Sequence, residues 1–261
     1  MLRALLAGFG HYIDYINRHA AILADRIICV SYRQCEIILR HIPEIKNKTE
    51  VMYNPPPPIP TINKRANDEP TLIYVGGASY IKGLQTFIKA LAKILRKHKA
   101  RAYIVLGKAS SKEKAFVMKL AKEVNGRLMP LDRLPYNEYL KLHEHAWALL
   151  FPSISEEPLP YAIVEALLIG TIPLASRVGS IPEIIRGSPA EEYLFTPGDI
   201  NEFLNKIESL LTKTKNYISE AEIELQEHVH KLFDRRSIEK RIANLFEFLL
   251  MSRVSDGKEV I

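Results

Sequence analysis

Apolar residues recur at helical spacing from the start of the chain. Leu5, Leu6, Phe9, Ile13, Ile16, Ala20 and Leu23 predict a helix over about Leu2–Ala24. Ile27–Ser31 (IICVS) then reads as a short buried strand, Tyr32–Arg40 as a helix and Glu50–Tyr53 as a second strand. That strand ends at Asn54, where Pro55, Pro56, Pro57 and Pro58 lack amide donors and fix φ. With the polar stretch to Pro70, this run predicts a stiff, extended linker.

Beyond the linker the alternation becomes regular. Strands are predicted at Thr71–Gly76, Ala102–Gly107, Arg127–Met129, Ala148–Phe151, Ile172–Ala175 and Tyr193–Phe195. Between and after them, helical periodicity covers Gly83–Leu95, Ser111–Val124, Tyr136–His143, Tyr161–Ile169, Ile181–Arg186 and Asp199–Leu211. Short strands separated by helices of this length mean βαβ units, and so an α/β fold with a Rossmann-like parallel sheet, here without a GxGxxG fingerprint. The tail from Tyr217 to Met251 is helical, with a break near Phe233-Asp234 and one apolar stripe through Ile238, Ile242, Leu245, Phe246, Leu249 and Leu250. Three segments follow: residues 1–62, a short α/β stretch with the linker; 63–214, the Rossmann-like domain; and 215–261, the helical tail.

Composition narrows the class. The 261 residues are 47% apolar and 25% charged, ordinary for a folded soluble domain, and exclude intrinsic disorder. Only two cysteines, Cys29 and Cys35, are present, which excludes a disulfide scaffold, and neither has a convincing base beside it. No apolar run reaches the ~18 residues of a membrane span. The N-terminus lacks a small-residue cleavage site, so a cytoplasmic protein is expected. The net charge of +6 permits contact with the inner face of a membrane.

Open parallel sheets bind ligands beyond the carboxyl ends of their strands. Three loops there carry suggestive residues. Gly76-Gly77-Ala78-Ser79-Tyr80-Ile81-Lys82-Gly83 joins the first main strand to its helix; its glycines let amides approach a phosphate, and Lys82 adds a full charge. On this segment alone, a plain glycine-rich turn with a solvated lysine is the better reading. The second loop leads from Pro152 into the helix at Tyr161. Glu157 and Glu165 are separated by seven residues, so both can face one crevice, where ligand hydroxyls would satisfy two carboxylates. The alternative makes Glu157 a helix-terminal charge and Glu165 a surface residue, against which stand the apolar neighbours Ile163, Val164, Ala166, Leu167 and Leu168. In the third loop, Arg177 to Glu183, Pro182 and Glu183 suit the first turn of a helix and need no further role. The pairs His143/His145 and His228/His230 have no partners at metal-ligand spacing, so no metal is expected. Trp147 reads as packing, and no nucleic-acid motif appears.

Taken in order, these segments resemble the retaining glycosyltransferases of family 4, which have the GT-B architecture. The resemblance is carried by Ala24 to Ser31, Tyr53-Asn54, Val75-Gly76 with Lys82-Gly83, Phe151-Pro152-Ser153, the glutamate pair, Gly170 to Pro173, Gly179 to Ile184 and Pro197-Gly198-Asp199. It spans about Ala21 to Leu211 and makes residues 1–62 the remnant of an N-terminal GT-B domain. It implies a nucleotide diphosphate sugar as donor, a glycan or lipid-linked acceptor, transfer of a hexose with retention, and no cofactor or metal. It also implies roles. Lys82 would bind the donor diphosphate, Glu165 the ribose hydroxyls and Glu157 the transferred sugar, with the Leu159 and Tyr161 amides capping a phosphate. Gly76 and Gly77 would line the site.

The chain departs from the family at Gly77, where many relatives have an arginine, and at Pro158-Leu159-Pro160, which removes two amide donors. Residues near His145-Ala146-Trp147 replace a usual acid. The short N-terminal half leaves two readings open: a glycosyltransferase, or a non-catalytic nucleotide-sugar-binding module that needs a separate acceptor-domain protein as partner.

Overall fold

The computed structural model describes residues 16–255. Their contacts divide at Pro55/Pro56 and Phe233/Asp234 into two units.

In the first unit, β1 (Ile27–Cys29) pairs in parallel with β2 (Thr49–Val51), joined through α1 (Tyr32–His41) and a 3-10 turn at Pro43–Lys48. Ser31 starts α1 because its extended backbone leaves the hydroxyl free to accept from the Gln34 amide at 3.1 Å. Arg40 and His41 complement the helix dipole at its other end. Cys29 lies on β1 and Cys35 on α1; burial, and then Cys35, push the Cys29 thiol up to about 12, which makes it inert. Residues 16–23 are helical. The rest of the helix expected over Leu2–Ala24 lies outside the described residues. The long helix α9 (Arg235–Ser255) belongs to this unit too.

The second unit is built on six parallel strands in the order β5-β4-β3-β6-β7-β8: β3 (Thr71–Tyr74), β4 (Arg101–Val105), β5 (Leu128–Leu131), β6 (Ala148–Phe151), β7 (Ile172–Ser176) and β8 (Leu194–Phe195). Strands β3, β6 and β7 are buried at every position, as continuous apolar runs in a sheet covered on both faces must be. The prolines obey the ladder. Pro130 sits on edge strand β5, and Pro173 precedes the part of β7 that β8 reaches, Ala175 and Ser176.

The helices follow their strands: α2 (Leu84–Lys97), α3 (Ser111–Glu123), α4 (Tyr136–Leu142), α5 (Tyr161–Ile169), α6 (Ile181–Ile185), α7 (Ile200–Leu211) and α8 (Lys215–Leu232). On α2, Leu84, Phe87, Ile88, Leu91, Ile94 and Leu95 form one buried face. Each such side chain contributes about 1.5–3 kcal/mol over an exposed one. A capping box between Ser110 and Glu113 opens α3. Helix α8 packs on α5 within this unit, and the helical tail breaks at Phe233-Asp234 as the sequence pattern indicated.

The polar stretch before β3 is not a free linker. Lys64 Nζ donates to the carbonyls of His143 (3.1 Å) and Ala146 (2.6 Å) and to Thr171 Oγ1 (2.6 Å). The Arg65 amide donates to Glu144 O at 2.7 Å, and Trp147 Nε1 donates to Asn67 O at 2.8 Å. Residues 64–67 are thus docked on the turn that feeds β6. Composition alone concealed this, because Lys64 is a buried ammonium whose acceptors come from elsewhere in the chain.

Candidate active site

The sheet changes direction at its centre. The chain runs outward from β3 through β4 to β5, then returns along α4 to place β6 on the other side of β3. The helices that follow β3 and β6 therefore lie on opposite faces of the sheet, and a crevice opens beyond the strands' carboxyl ends. Both acid- and lysine-bearing loops from the sequence reading lie here.

The β3 loop is folded around Tyr74. This buried phenol donates to Gly77 O at 2.6 Å and lies 3.3 Å from Lys82 O; burial holds it well above the usual tyrosine range, so it remains a neutral donor. The loop closes with a 3-10 turn, Tyr80–Lys82, and seats itself on the β6 loop through Ile154 N to Ile81 O at 2.9 Å. Gly83, at φ +77°, makes this approach feasible, since a Cβ there would stand 2.0 Å from Pro152 O. Gly179, at φ +54°, does the same for the β7 loop: its Cβ would meet Glu157 O at 2.2 Å. Ser180 then donates from its amide (2.9 Å) and hydroxyl (3.2 Å) to that same carbonyl.

Two acid clusters result. In the first, Lys82 Nζ lies 2.5 Å from Glu157 Oε1, and Ser153 Oγ donates to the same oxygen at 2.7 Å. Glu157 is 8% exposed. Charge pairing is what allows a carboxylate to sit there. In the second, Glu165, 6% exposed, accepts from Tyr136 Oη at Oε1 and from Tyr139 Oη at Oε2, each at 2.8 Å. Burial raises the Glu165 pKa, and the two tyrosine hydrogen bonds oppose that shift. The surface-residue alternative for Glu165 is thereby excluded. Tyr139 also meets His143 Nε2 at 3.3 Å, and burial followed by the Lys64 charge lowers that imidazole to about 3, so it is neutral.

A cleft of about 520 Å³ opens over the second cluster. Gly76, Gly77, Arg133, Tyr136, Tyr139 and Glu165 are among the residues lining it. Lys82 and Glu157 do not line this cleft; they form a separate ion-paired cluster on the loops after β3 and β6. Leu159 and Tyr161 lie between the two clusters along the chain, at the entrance to α5. That helix begins after Pro160 with no capping side chain, so its first amides are unsatisfied by the helix itself. Ala162 and Glu165 line the cleft from one face of α5. Glu183 occupies the first turn of α6 after Pro182, and exposed Arg177 leaves β7.

Arg133, Tyr136 and Tyr139 were not singled out by sequence reasoning. Their available signal was position alone, in the segment following a strand's carboxyl end. Among the described residues no group of three or more His, Cys, Asp or Glu is placed to hold a metal ion, and no helix is long and apolar enough to cross a membrane.

A family model for glycosyl transferases group 1 matches residues 58–225, more than half of the chain. The chain belongs to the group 1 glycosyl transferases. The match to this group 1 chain covers the whole six-stranded sheet and both acid clusters. A glycosyltransferase of Methanocaldococcus jannaschii, itself described as uncharacterized, is 28% identical over 120 residues, 46% of this chain and 30% of that protein.

Sucrose-phosphate synthase from Thermosynechococcus elongatus superposes with a TM-score of 0.72 at 22% identity, covering 91% of this chain and 61% of that one. Anabaena HepE, solved in complex with UDP and glucose, gives 0.67 at 21% identity, with 86% and 63% covered. These likenesses give the glycosyl transferase chain its fold, the Rossmann-like half of a GT-B architecture. It spans less than two thirds of the proteins it matches.

Proposed function

We propose that this group 1 chain binds a nucleoside diphosphate sugar across the two acid clusters. We further propose that it serves transfer of the hexose, with retention, to a glycan or lipid-linked acceptor. The observation that carries the reading is that Glu157, paired with Lys82, and Glu165 flank the uncapped start of α5 along the chain, with Glu165 lining an open cleft at the sheet's switch point. Lys82, the loop amide of Leu159 and the first amides of α5, Tyr161 included, would face the diphosphate. Glu165 would take the ribose hydroxyls, and Glu157 would lie toward the sugar. Gly76 and Gly77 would let the nucleotide lie close to the β3 loop. Arg133, exposed at the cleft, supplies a cation that Gly77 cannot.

The chemistry follows from charge. As the glycosidic bond breaks, negative charge develops on the leaving diphosphate, and a lysine and helix-end amides aimed there lower the barrier. Loss of one such preorganised donor typically costs about 10²–10³ in rate. That HepE was solved with UDP and with UDP-glucose supports a uridine donor as the first to test. The second reading, a binding module that requires an acceptor-domain protein, keeps the same donor site and differs only in turnover.

The test is a titration of UDP, GDP, ADP and their sugar conjugates against the purified protein, read as melting temperature and heat. Binding of at least one is expected. Glu165→Ala should weaken plain nucleotides roughly 10-fold or more, as loss of a charged hydrogen bond does. Glu157→Ala should act mainly on the sugar conjugate. Equal, negligible effects of both variants would remove the assignment. Transfer to a glycan acceptor by the chain alone would decide between the two readings.

A further inference from the structure

Both oxygens of Glu165 accept from protein hydroxyls, yet the two tyrosines that donate to them are held very differently. Tyr139 is anchored. Its hydroxyl donates to Oε2 and also meets His143 Nε2 at 3.3 Å, and its ring packs edge-on against the imidazole with centroids 5.3 Å apart. The His143 carbonyl in turn accepts from the part-buried Lys64. Because the Tyr139 hydroxyl gives its one hydrogen to Oε2, its contact with the neutral imidazole is made as an acceptor, with Nε2–H as the donor. Tyr136 has no such backing. It is the first residue of α4, 43% exposed, and its hydroxyl bonds only Glu165 among the described residues. Its ring leans 6.1 Å from that of Tyr139 and lines the cleft.

We infer that Tyr136 is a placeholder on Glu165: its hydroxyl satisfies Oε1 while the cleft is empty and yields that oxygen to a ligand hydroxyl, while Tyr139, braced by His143, keeps Oε2. This rests on the nucleotide reading of the cleft and adds a competition to it. A buried carboxylate oxygen without a donor is costly, so an empty site needs a temporary partner. A half-exposed ring at a helix start can swing into solvent with little loss of packing. The ligand must displace that contact, so the apparent affinity is reduced by the fraction of molecules in which Tyr136 is bound. Tyr139 is a positioning residue, because it fixes the direction of the remaining lone pairs.

Isothermal titration of wild type, Tyr136→Phe and Tyr139→Phe with UDP and with 2′,3′-dideoxyuridine diphosphate tests this. Tyr136→Phe, on a half-exposed ring, is the deciding variant. It should bind UDP about 2- to 10-fold more tightly than wild type, the range set by one ordinary net hydrogen bond. The gain should vanish with the dideoxy analogue, which has no hydroxyl to claim Oε1. Tyr139→Phe should weaken UDP by a comparable factor at unchanged stoichiometry. Tyr136→Phe that binds UDP no more tightly than wild type, or gains equally with the analogue, overturns the placeholder and leaves the site reading standing. Wild-type protein that binds none of UDP, GDP and ADP overturns the site reading and the placeholder with it.

Discussion

Replacing Lys82 with methionine keeps much of the side chain's length and removes its charge. In the structure the ammonium stands 2.5 Å from Glu157 Oε1, with side-chain exposures of 31% for the lysine and 11% for the glutamate. A fully buried pair broken at one end costs about 3–5 kcal/mol, whereas exposed pairs are worth about 0–1. This pair lies between, so Lys82→Met should destabilise by about 1–3 kcal/mol, since the Ser153 hydroxyl alone then faces the buried carboxylate oxygen. Glu157→Gln should cost less, because the freed lysine can reach water. The double variant should recover most of the loss.

Binding separates support of the fold from contact with the diphosphate. A charged hydrogen bond contributes about 1.5–3 kcal/mol, so UDP should weaken roughly 10- to 150-fold in Lys82→Met. Uridine, lacking the diphosphate, should be held within about twofold of wild type on the same grounds. Urea melts at pH 7 and titration calorimetry with both ligands supply the measurements. If UDP and uridine weaken equally, Lys82 supports only the fold and the diphosphate assignment is wrong. If the double variant is as unstable as Lys82→Met alone, the ion pair is not what holds Glu157 in place.

Lys64 and Gly179 give two further tests. Burial lowers Lys64 to about 7, with Glu222 opposing the shift, while an unfolded lysine titrates near 10.4. The unfolded chain therefore binds the extra proton between those values, so stability rises with pH across that window and the charge burial is fully felt below about 7. Relative to Lys64→Met, wild type should gain about 2 kcal/mol from pH 7 to 9 in urea melts; a constant difference would refute the buried ammonium. Gly179→Ala forces a Cβ to within 2.4 Å of Glu157 N in a left-handed backbone. It should cost about 1–3 kcal/mol and weaken UDP, and a variant as stable as wild type would mean that the β6 and β7 loops do not meet there.

How much of this was legible follows from what each residue's neighbours are. The run Ala148–Phe151 declares a buried strand because nothing in it prefers water, and Glu165 stands out because an acid inside Ile163–Leu168 must be compensated. Local chain pattern suffices for both. Tyr136 and Tyr139 are different. They sit 29 and 26 residues before Glu165, on a helix whose own pattern reads as ordinary amphipathic. They meet Glu165 only because α4 is the return crossover from edge strand β5 to central strand β6, a fact of strand order rather than of composition. Lys64 escaped for the same reason: its three acceptors lie 79 to 107 residues further on. The glycines show the converse limit. The pattern Gly76 to Gly83 suggests amides approaching a phosphate or a plain turn, and at Gly83 the nearest claimant to the missing Cβ is Pro152 O at 2.0 Å. A glycine marks a close approach without naming who approaches, and here it is the protein's own loop, which is what brings Lys82 within reach of Glu157.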